Sequence, residues 1–250
     1  MKVAALNDVH GNIAALEAVL EDVERDDPDA IVFGGDVATG PFARETLAVL
    51  TSLRDRAYFV RGNADREIVA AYDSRAEFDE NDEDPVRRAS AWLAQQLTPE
   101  ERDFLASFEE TVVLDVDGLG PSRFCHGSPR SDEEIITHLT PDDRLAEFVA
   151  GVEERVVVCG HTHMQFERLV GETRIVNAGS VGMPYEGERG AFWLLLGPDL
   201  SFRRTEYDVE AAAKGLASHP EGGNIAELLL RPPGKDEVAA FFEGTGPEPA

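Results

Sequence analysis

The first third of the chain alternates short apolar runs with longer stretches of helical periodicity. The runs at residues 3–6, 30–33 and 57–60 each have the length of a buried strand. Between them, residues 13–23 and 42–53 repeat apolar side chains at the three- and four-residue spacing of an amphipathic helix. This β-α-β-α-β order predicts a parallel sheet with right-handed crossovers.

The rest of the chain changes from a helical to a strand-rich pattern. Residues 66–110 are predicted to be mostly helical, and their acidic run EFDENDEDP has the composition of a solvated loop or helix edge. Thr98, Pro99 and Glu101 form a capping-box motif that predicts a helix start. Helices are also expected at 133–138 and 141–150. The last stretch of the chain, from about residue 208, is expected to be helical but is weakly patterned. The predicted strands are 112–116, 123–125, 155–159, 166–170, 174–176 and 191–196, with hairpin turns at DGLGP and VGETR.

No internal repeat or interdomain linker interrupts the sequence. We therefore expect a single domain over residues 1–250, in which 66–110 forms a helical cap and 244–250 a frayed tail.

Polar residues beside glycine follow one apolar run after another. In open α/β sheets, ligands bind outside the carboxyl ends of the strands, so these loops should share one rim. The residues that end the successive runs are Asn7, Asp8 and His10, then Asp36, then Asn63 and Asp65, then His126, then His161 and His163, and finally Asn177 and Ser180.

Each motif alone has an ordinary alternative. The pair Asp8 and His10 could cap a helix, a strand-end aspartate could form a turn, and two histidines two positions apart could end a polar strand. Their joint occurrence favours a site, because four of the 6 histidines lie at strand ends beside glycine. The other two, His138 and His219, fall in predicted helices and are interpreted as surface residues without a role.

The net charge of the chain limits the kinds of binding partner that we expect. Asp+Glu number 49 against Lys+Arg 23, which gives a net charge of −26 that repels duplex nucleic acid and anionic membranes. An anionic substrate would therefore need local positive charge, most simply a bound metal ion. The scarcity of lysine fits either a GC-rich genome or adaptation to salt. With no apolar leader or spanning run, the cytoplasm is the expected location.

The donor types indicate the kind of metal. Imidazole, carboxylate and amide oxygen without thiolate suit Mn²⁺, Fe²⁺, Co²⁺, Ni²⁺ or Zn²⁺. The two cysteines, Cys125 and Cys159, lack the close spacing of a structural zinc site and are expected to be buried free thiols. Seven candidate ligands are too many for one ion and suit two ions, an arrangement that favours attack on phosphorus.

The ordered motifs DVH, GGD, GN, HG and GHTH resemble the calcineurin-like metallophosphoesterase superfamily over about the first 180 residues. NDVHGNIAALEAVL, HGSPR and NAGSVGMP are similar to its small prokaryotic phosphodiesterase branch. The resemblance implies a four-layer α/β/β/α sandwich of two mixed sheets, and hydrolysis by in-line attack of a metal-bridging hydroxide. It also implies two ligand sets that share a bridging Asp36: Asp8, His10, Asp36 and His163 for one ion, and Asp36, Asn63, His126 and His161 for the other.

One position departs from the family pattern. Many members carry a histidine after the GN pair, where it contacts the phosphate and can protonate the leaving group, whereas this chain has Ala64. Asp65, which would orient that histidine, could be a catalytic remnant that meets water or Arg66, or a helix cap.

Arg130 could clamp a phosphate or be a surface residue. Asn177 and Ser180 could shape the rim or form a plain turn.

The sequence thus predicts a cytoplasmic phosphoesterase with two divalent transition-metal ions, Mn²⁺ being preferred. A phosphodiesterase acting on a small phosphorylated substrate is the main hypothesis, with Asp36, Asn63 and His126 in the catalytic centre. Hydrolysis of dinucleoside polyphosphates is the alternative activity. A non-catalytic metal-binding scaffold resembling the small retromer subunit is the alternative from another class. A homo-oligomer is compatible with the sequence.

Overall fold

Two five-stranded mixed sheets form the centre of the molecule. The computed structural model describes residues 1–249, and within them nine helices surround the two sheets. The first sheet has the spatial order β10-β9-β1-β2-β3. Its strands are β1 (Val3–Leu6), β2 (Ala30–Phe33), β3 (Ala57–Phe59), β9 (Ala191–Leu196) and β10 (Leu200–Thr205).

The predicted parallel core of the first sheet is confirmed. Strand β1 pairs in parallel with β2, and β2 pairs in parallel with β3, while β9 adds antiparallel to β1. Strand β10 was not predicted from the sequence. It pairs antiparallel with β9 at the edge of the sheet, where Phe202 is exposed and two consecutive arginines give the run a polar character.

The second sheet has the order β4-β5-β6-β8-β7 and matches the predicted strands closely. The hairpin turns expected at DGLGP and VGETR join β4 to β5 and β7 to β8. Strand β6 lies in the middle, parallel to both of its neighbours. The strands are β4 (Thr111–Val116), β5 (Gly120–Cys125), β6 (Val156–Cys159), β7 (Gln165–Val170) and β8 (Thr173–Ala178).

The predicted capping box is present at the start of the fifth helix. The Glu101 amide donates to the Thr98 hydroxyl at 3.2 Å, and the Thr98 amide donates to the Glu101 carboxylate at 2.7 Å. The helices are α1 (Ile13–Asp26), α2 (Ala43–Ser52), α3 (Asn63–Ser74), α4 (Pro85–Ala94), α5 (Pro99–Ala106), α6 (Asp142–Phe148), α7 (Val209–Leu216), α8 (Gly223–Leu230) and α9 (Lys235–Phe242).

The prediction of a helix at 133–138 is wrong, because this segment is irregular. The Thr140 hydroxyl accepts from the Thr137 amide at 2.8 Å, and the Thr137 hydroxyl accepts from the Leu139 amide at 3.1 Å. Such local side-chain bonds compete with the helical backbone pattern. His138 is therefore not a helical surface residue; it is half-buried and bonded to Asp236 at 2.8 Å.

Alternate residues of a strand face opposite sides of its sheet, and the central strands β1, β2, β6 and β9 are buried on both sides. In β1, Val3 and Ala5 face the second sheet, whereas Ala4 and Leu6 face α1 and α2. On the far side of the second sheet, α6 and α9 cover a separate apolar cluster. The layers therefore run helix, sheet, sheet, helix, which confirms the predicted α/β/β/α sandwich.

The segment expected to be a cap contains α4 and α5, packed with α3 beside the first sheet. At the other end of the chain, the amides of Thr245 and Gly246 donate to the Ala240 carbonyl and so terminate α9. The end of the tail predicted over 244–250 lies outside the described residues. Within residues 1–249, every helix is too short or too polar to cross a bilayer.

Candidate metal centre

The carboxyl ends of the parallel strands in both sheets meet at one edge of the sandwich. Asp8 and His10 follow β1, Asp36 follows β2, and Asn63 opens α3 directly after β3. Backbone bonds join these loops: the Asp8 amide donates to Gly35 and the His10 amide to Asp36, both at 3.0 Å. From the second sheet, the loop after β5 supplies His126, and the loop after β6 supplies His161 and His163.

The backbone of these loops is unusual. Within residues 1–249, seven residues other than glycine have a positive φ, a conformation that costs an L-residue about 1–2 kcal/mol. Such strain persists where the surrounding structure enforces it, and it clusters at functional sites. Five of the seven are predicted metal ligands, namely Asp8, His10, Asp36, His161 and His163.

Asp8, His10 and His163 form the first group of potential ligands. Their donor atoms lie within 4.8 Å of one another. The two Nε2 atoms of His10 and His163 are 3.0 Å apart, and Asp8 Oδ1 is 3.4 Å from His163 Nε2. Asp8 Oδ2 accepts from the His161 amide at 3.0 Å, but buried Oδ1 has no hydrogen-bond partner within the described chain. An unpartnered buried carboxylate oxygen among imidazole nitrogens fits a cation.

Asp36, His126 and His161 form the second group, again with donor atoms within 4.8 Å of one another. His126 Nε2 lies 3.4 Å from Asp36 Oδ2, 3.2 Å from His161 Nδ1 and 3.2 Å from Asn63 Oδ1. The other Asp36 oxygen accepts from the Ala64 amide at 2.9 Å. The two groups adjoin, because His126 Nε2 is 4.0 Å from Asp8 Oδ1.

Two glycines allow the aspartates to come this close to the backbone. A Cβ atom at Gly62 would lie 2.1 Å from Asp36 Oδ1, and one at Gly160 would lie 2.6 Å from Asp8 Oδ2. Any larger residue at either position would displace a candidate ligand. The GN and GHTH motifs therefore need glycine for close approach.

Backbone carbonyls orient two of the imidazole rings. His163 Nδ1–H donates to the Met183 carbonyl at 2.8 Å, and His126 Nδ1–H donates to the Gly34 carbonyl at 2.9 Å. Each bond leaves Nε2 as the nitrogen that faces the centre, which is the usual arrangement around metal-binding histidines. Tyr185 stacks on His163 with ring centroids 4.8 Å apart. Sequence reasoning did not single out Tyr185, because no local pattern marks an aromatic residue in a turn.

The electrostatics of the centre favour ligand-competent protonation states in two of its histidines and both of its aspartates, but not in His126. Burial, reinforced by the neighbouring histidines, lowers the pKa of His10 and of His161 to about 4 each. Burial opposes ionisation of Asp8 and Asp36, yet the adjacent histidines lower the pKa of both carboxyls. For His126, burial is outweighed by Asp36 and Asp8, which raise its pKa to about 10 in the absence of a cation.

The donor set fits two divalent metal ions. Two carboxylates, four imidazoles and the Asn63 amide oxygen converge, and no thiolate takes part. Cys125 and Cys159 are buried free thiols, as predicted, and pack in the outer apolar cluster beneath α6 and α9. Burial raises the pKa of Cys125 to about 12, which keeps this thiol protonated.

Asp65 lies behind the centre. It is buried and accepts backbone N–H bonds from Asp36 and Gly62 through Oδ2 and from Val37 through Oδ1, at 2.9–3.1 Å. Burial and the Asp36 carboxylate raise the pKa of Asp65 to about 7, against the effect of these donors. Asp65 therefore caps α3 and anchors the loop after β2. It does not meet Arg66, whose guanidinium bonds Asp132 at 2.8 Å.

Arg130 is engaged at the surface. Its guanidinium pairs with Glu134 at 2.7 Å and lies over the Phe148 ring, and its side chain is half exposed. It lines a polar cavity of about 200 Å³ together with His126 and Arg61. A role as a phosphate clamp would require Arg130 to leave Glu134.

Asn177 and Ser180 are hydrogen-bonded to the loops that carry the candidate metal ligands. Asn177 donates to the Gly160 carbonyl at 2.6 Å and to the Thr162 hydroxyl at 3.0 Å. Ser180 donates to the Asp8 carbonyl and accepts from the Met183 amide, both at 2.8 Å. These bonds engage the polar atoms of both side chains, which therefore position the ligand-bearing loops.

Two mixed sheets packed face to face, with two groups of metal ligands at one edge, are the arrangement of a metallophosphoesterase. The family model described as the calcineurin-like phosphoesterase superfamily domain matches residues 1–196. The chain belongs to this superfamily.

Proteins with similar sequences or structures match this chain over nearly its whole length. An uncharacterized protein of Methanocaldococcus jannaschii is 26% identical over 236 residues, which covers 87% of this chain and 92% of the relative. A solved metallophosphoesterase from Sphaerobacter thermophilus is 26% identical with a TM-score of 0.73, covering 92% of this chain and 98% of its own. The hypothetical protein PH1004 from Pyrococcus horikoshii OT3 shares the fold, with a TM-score of 0.77 at 19% identity, over 93% and 99% of the two chains.

Proposed function

We propose that the protein is a dinuclear metal-dependent phosphodiesterase. The observation that carries the proposal is the adjacency of two ligand groups, joined across 4.0 Å between Asp8 Oδ1 and His126 Nε2. Two cations bound at these adjacent groups would supply an activated water molecule and neutralise charge on the phosphate oxygens. Membership of the superfamily and the similarity to the Sphaerobacter metallophosphoesterase support the same class of reaction.

The candidate ligands of this chain would be shared between the two cations. Asp8, His10 and His163 would hold one cation, and Asn63, His126 and His161 the other. Asp36 would serve both, as the resemblance to the superfamily implies, and its Oδ2 lies 3.4 Å from His126 Nε2. We choose Mn²⁺ as the first metal to test, because the donor set lacks thiolate.

Ala64 shapes the substrate preference that we propose. Its methyl group cannot donate a proton to a departing alkoxide, and such general acid catalysis typically contributes about 10²–10⁴-fold. Esters whose leaving groups depart readily as anions lose least from its absence. The proposal is therefore hydrolysis of diesters with good leaving groups in preference to simple alkyl phosphates.

The test is hydrolysis of bis(p-nitrophenyl) phosphate by the protein loaded with Mn²⁺, followed by metal analysis of the same sample. Activity should disappear with a chelator and in Asp36→Ala. Equal or greater activity on dinucleoside polyphosphates would select the alternative hydrolase. If metallated protein hydrolysed neither diesters nor monoesters with any of several metals, a non-catalytic scaffold would replace the proposal.

A further inference from the structure

A cavity of about 190 Å³ adjoins the metal centre on the side of His10. Its walls come from five separate parts of the chain: the loop after β1, the loop after β2, helix α4, the loop after β8, and the region of α8. His10 itself forms part of the wall, so the cavity opens directly beside the first ligand group. An ester held at the centre would place one of its substituents at this opening.

The apolar part of the lining is built from three large, half-buried side chains. Trp92 lies on α4, Met183 in the loop after β8 and Ile225 on α8. An indole face and a thioether both make favourable contacts with aromatic rings. Met183 is tied to the centre as well, because its carbonyl accepts the bond that orients His163.

The charged groups of the cavity neutralise each other. Arg88 Nε lies 3.2 Å from Glu221 Oε1, and Arg88 Nη1 donates to the Asp82 carbonyl at 2.9 Å. Among the described lining residues, Arg88 and Glu221 are the only acidic or basic side chains besides the imidazole of His10. A charged substituent would find no partner there, whereas an uncharged one would displace water from apolar walls.

The cavity beside His126 is different in character. Two arginines, two serines and two carboxylates line it, so the two sides of the centre offer unlike surroundings. A substrate with two unlike substituents would therefore be oriented, with its apolar group toward His10.

We propose that the cavity walled by Trp92, Met183 and Ile225 binds an uncharged aromatic substituent of the phosphorylated substrate. The proposal rests on the proposed function for the placement of the phosphate group at the metal centre. It adds a substrate class, namely phosphoesters of aromatic or ring-bearing alcohols. Stacking on an aromatic side chain contributes roughly 5- to 150-fold in affinity.

Binding of non-hydrolysable phosphonates tests the cavity independently of turnover. Benzylphosphonate and methylphosphonate carry the same acidic group and differ by the ring. By calorimetry on Mn²⁺-loaded protein, benzylphosphonate should bind at least about tenfold more tightly. Trp92→Ala and the cavity-filling Ala89→Phe should both remove this advantage and leave methylphosphonate affinity within about twofold of wild type.

Val86→Phe is the matched control, because it adds the same ring to an exposed position of α4 outside the cavity. It should retain the preference for benzylphosphonate. Equal affinity for both phosphonates in the wild-type protein, or no binding of either, would overturn the proposal. If the protein preferred the aromatic ligand but hydrolysed no ester, the proposed activity would be contradicted and the cavity assignment would be supported.

Discussion

Asn177 offers the sharpest test of how the histidine-bearing loop is held. This fully buried residue near the end of β8 makes three hydrogen bonds: to the Gly160 carbonyl, to the Thr162 hydroxyl and from the Gly179 amide. The first two reach the loop that carries His161 and His163, both in the left-handed conformation. We expect Asn177→Ala to destabilise the fold and to loosen this loop at the same time.

The magnitude follows from the bonds removed. A hydrogen bond contributes about 1 kcal/mol net, so the loss of three should lower the free energy of unfolding by about 3 kcal/mol. A residue that orients metal ligands typically changes metal affinity by about 10–100-fold when it is replaced, and we expect a loss in this range for Mn²⁺. Asn177→Asp should cost more, because it places a carboxylate oxygen against the Gly160 carbonyl in a buried site.

Urea unfolding in EDTA would measure the stability, and calorimetry would measure Mn²⁺ binding. The control is Asn81→Ala, in an exposed turn, which should stay within about 0.5 kcal/mol of wild type. If Asn177→Ala unfolded within about 1 kcal/mol of wild type and bound Mn²⁺ as tightly, other contacts would have to hold the loop, and our reasoning would be refuted.

Three further predictions concern the centre and its surroundings. Ala64→His should raise monoesterase relative to diesterase activity in steady-state assays, and an unchanged ratio would mean that position 64 is remote from the leaving group. Because the pKa of His126 is raised to about 10 by Asp36 and Asp8 despite burial, Mn²⁺ binding at pH 7.5 should release about one proton, and affinity should rise with pH below 10. Calorimetry in buffers of different ionisation enthalpy would measure this release; none at pH 7.5 would contradict the assigned protonation of His126. Because burial raises the pKa of Cys125 to about 12, native protein should resist iodoacetamide at pH 8 and react once unfolded, and rapid native alkylation seen by mass spectrometry would disprove the burial of the thiol.

Local patterns were enough to predict most of the fold. The βαβαβ start and the hairpins carry their periodicity within a few residues, and the capping box at Thr98 is a four-residue signal. The failures have physical causes that short windows do not show. Strand β10 exists because β9 offers it an edge, and residues 133–138 are irregular because threonine hydroxyls take the backbone donors.

The ligand residues could be proposed from their position after strands, but the contacts that position them could not. Asp65 bonds amides 27–29 positions away, and Trp92, Met183 and Ile225 reach one cavity from distant parts of the chain. Sequence periodicity reports which face of an element is apolar, not which neighbour that face meets. The cavity therefore became visible only when the loops and helices were placed in space.

The centre also shows why its residues occur together. Its five left-handed residues, its buried carboxylates and the unpartnered Asp8 oxygen each disfavour the folded state on their own. The bonds from Asn177, Ser180 and Asp65 offset part of that cost by fixing the loops. Bound cations would satisfy the remaining oxygen and nitrogen donors, so metal affinity and stability should rise or fall together in variants of these three positions. A set of residues that reduces stability without a ligand is hard to explain as a structural element alone, and this favours a site that binds metal ions.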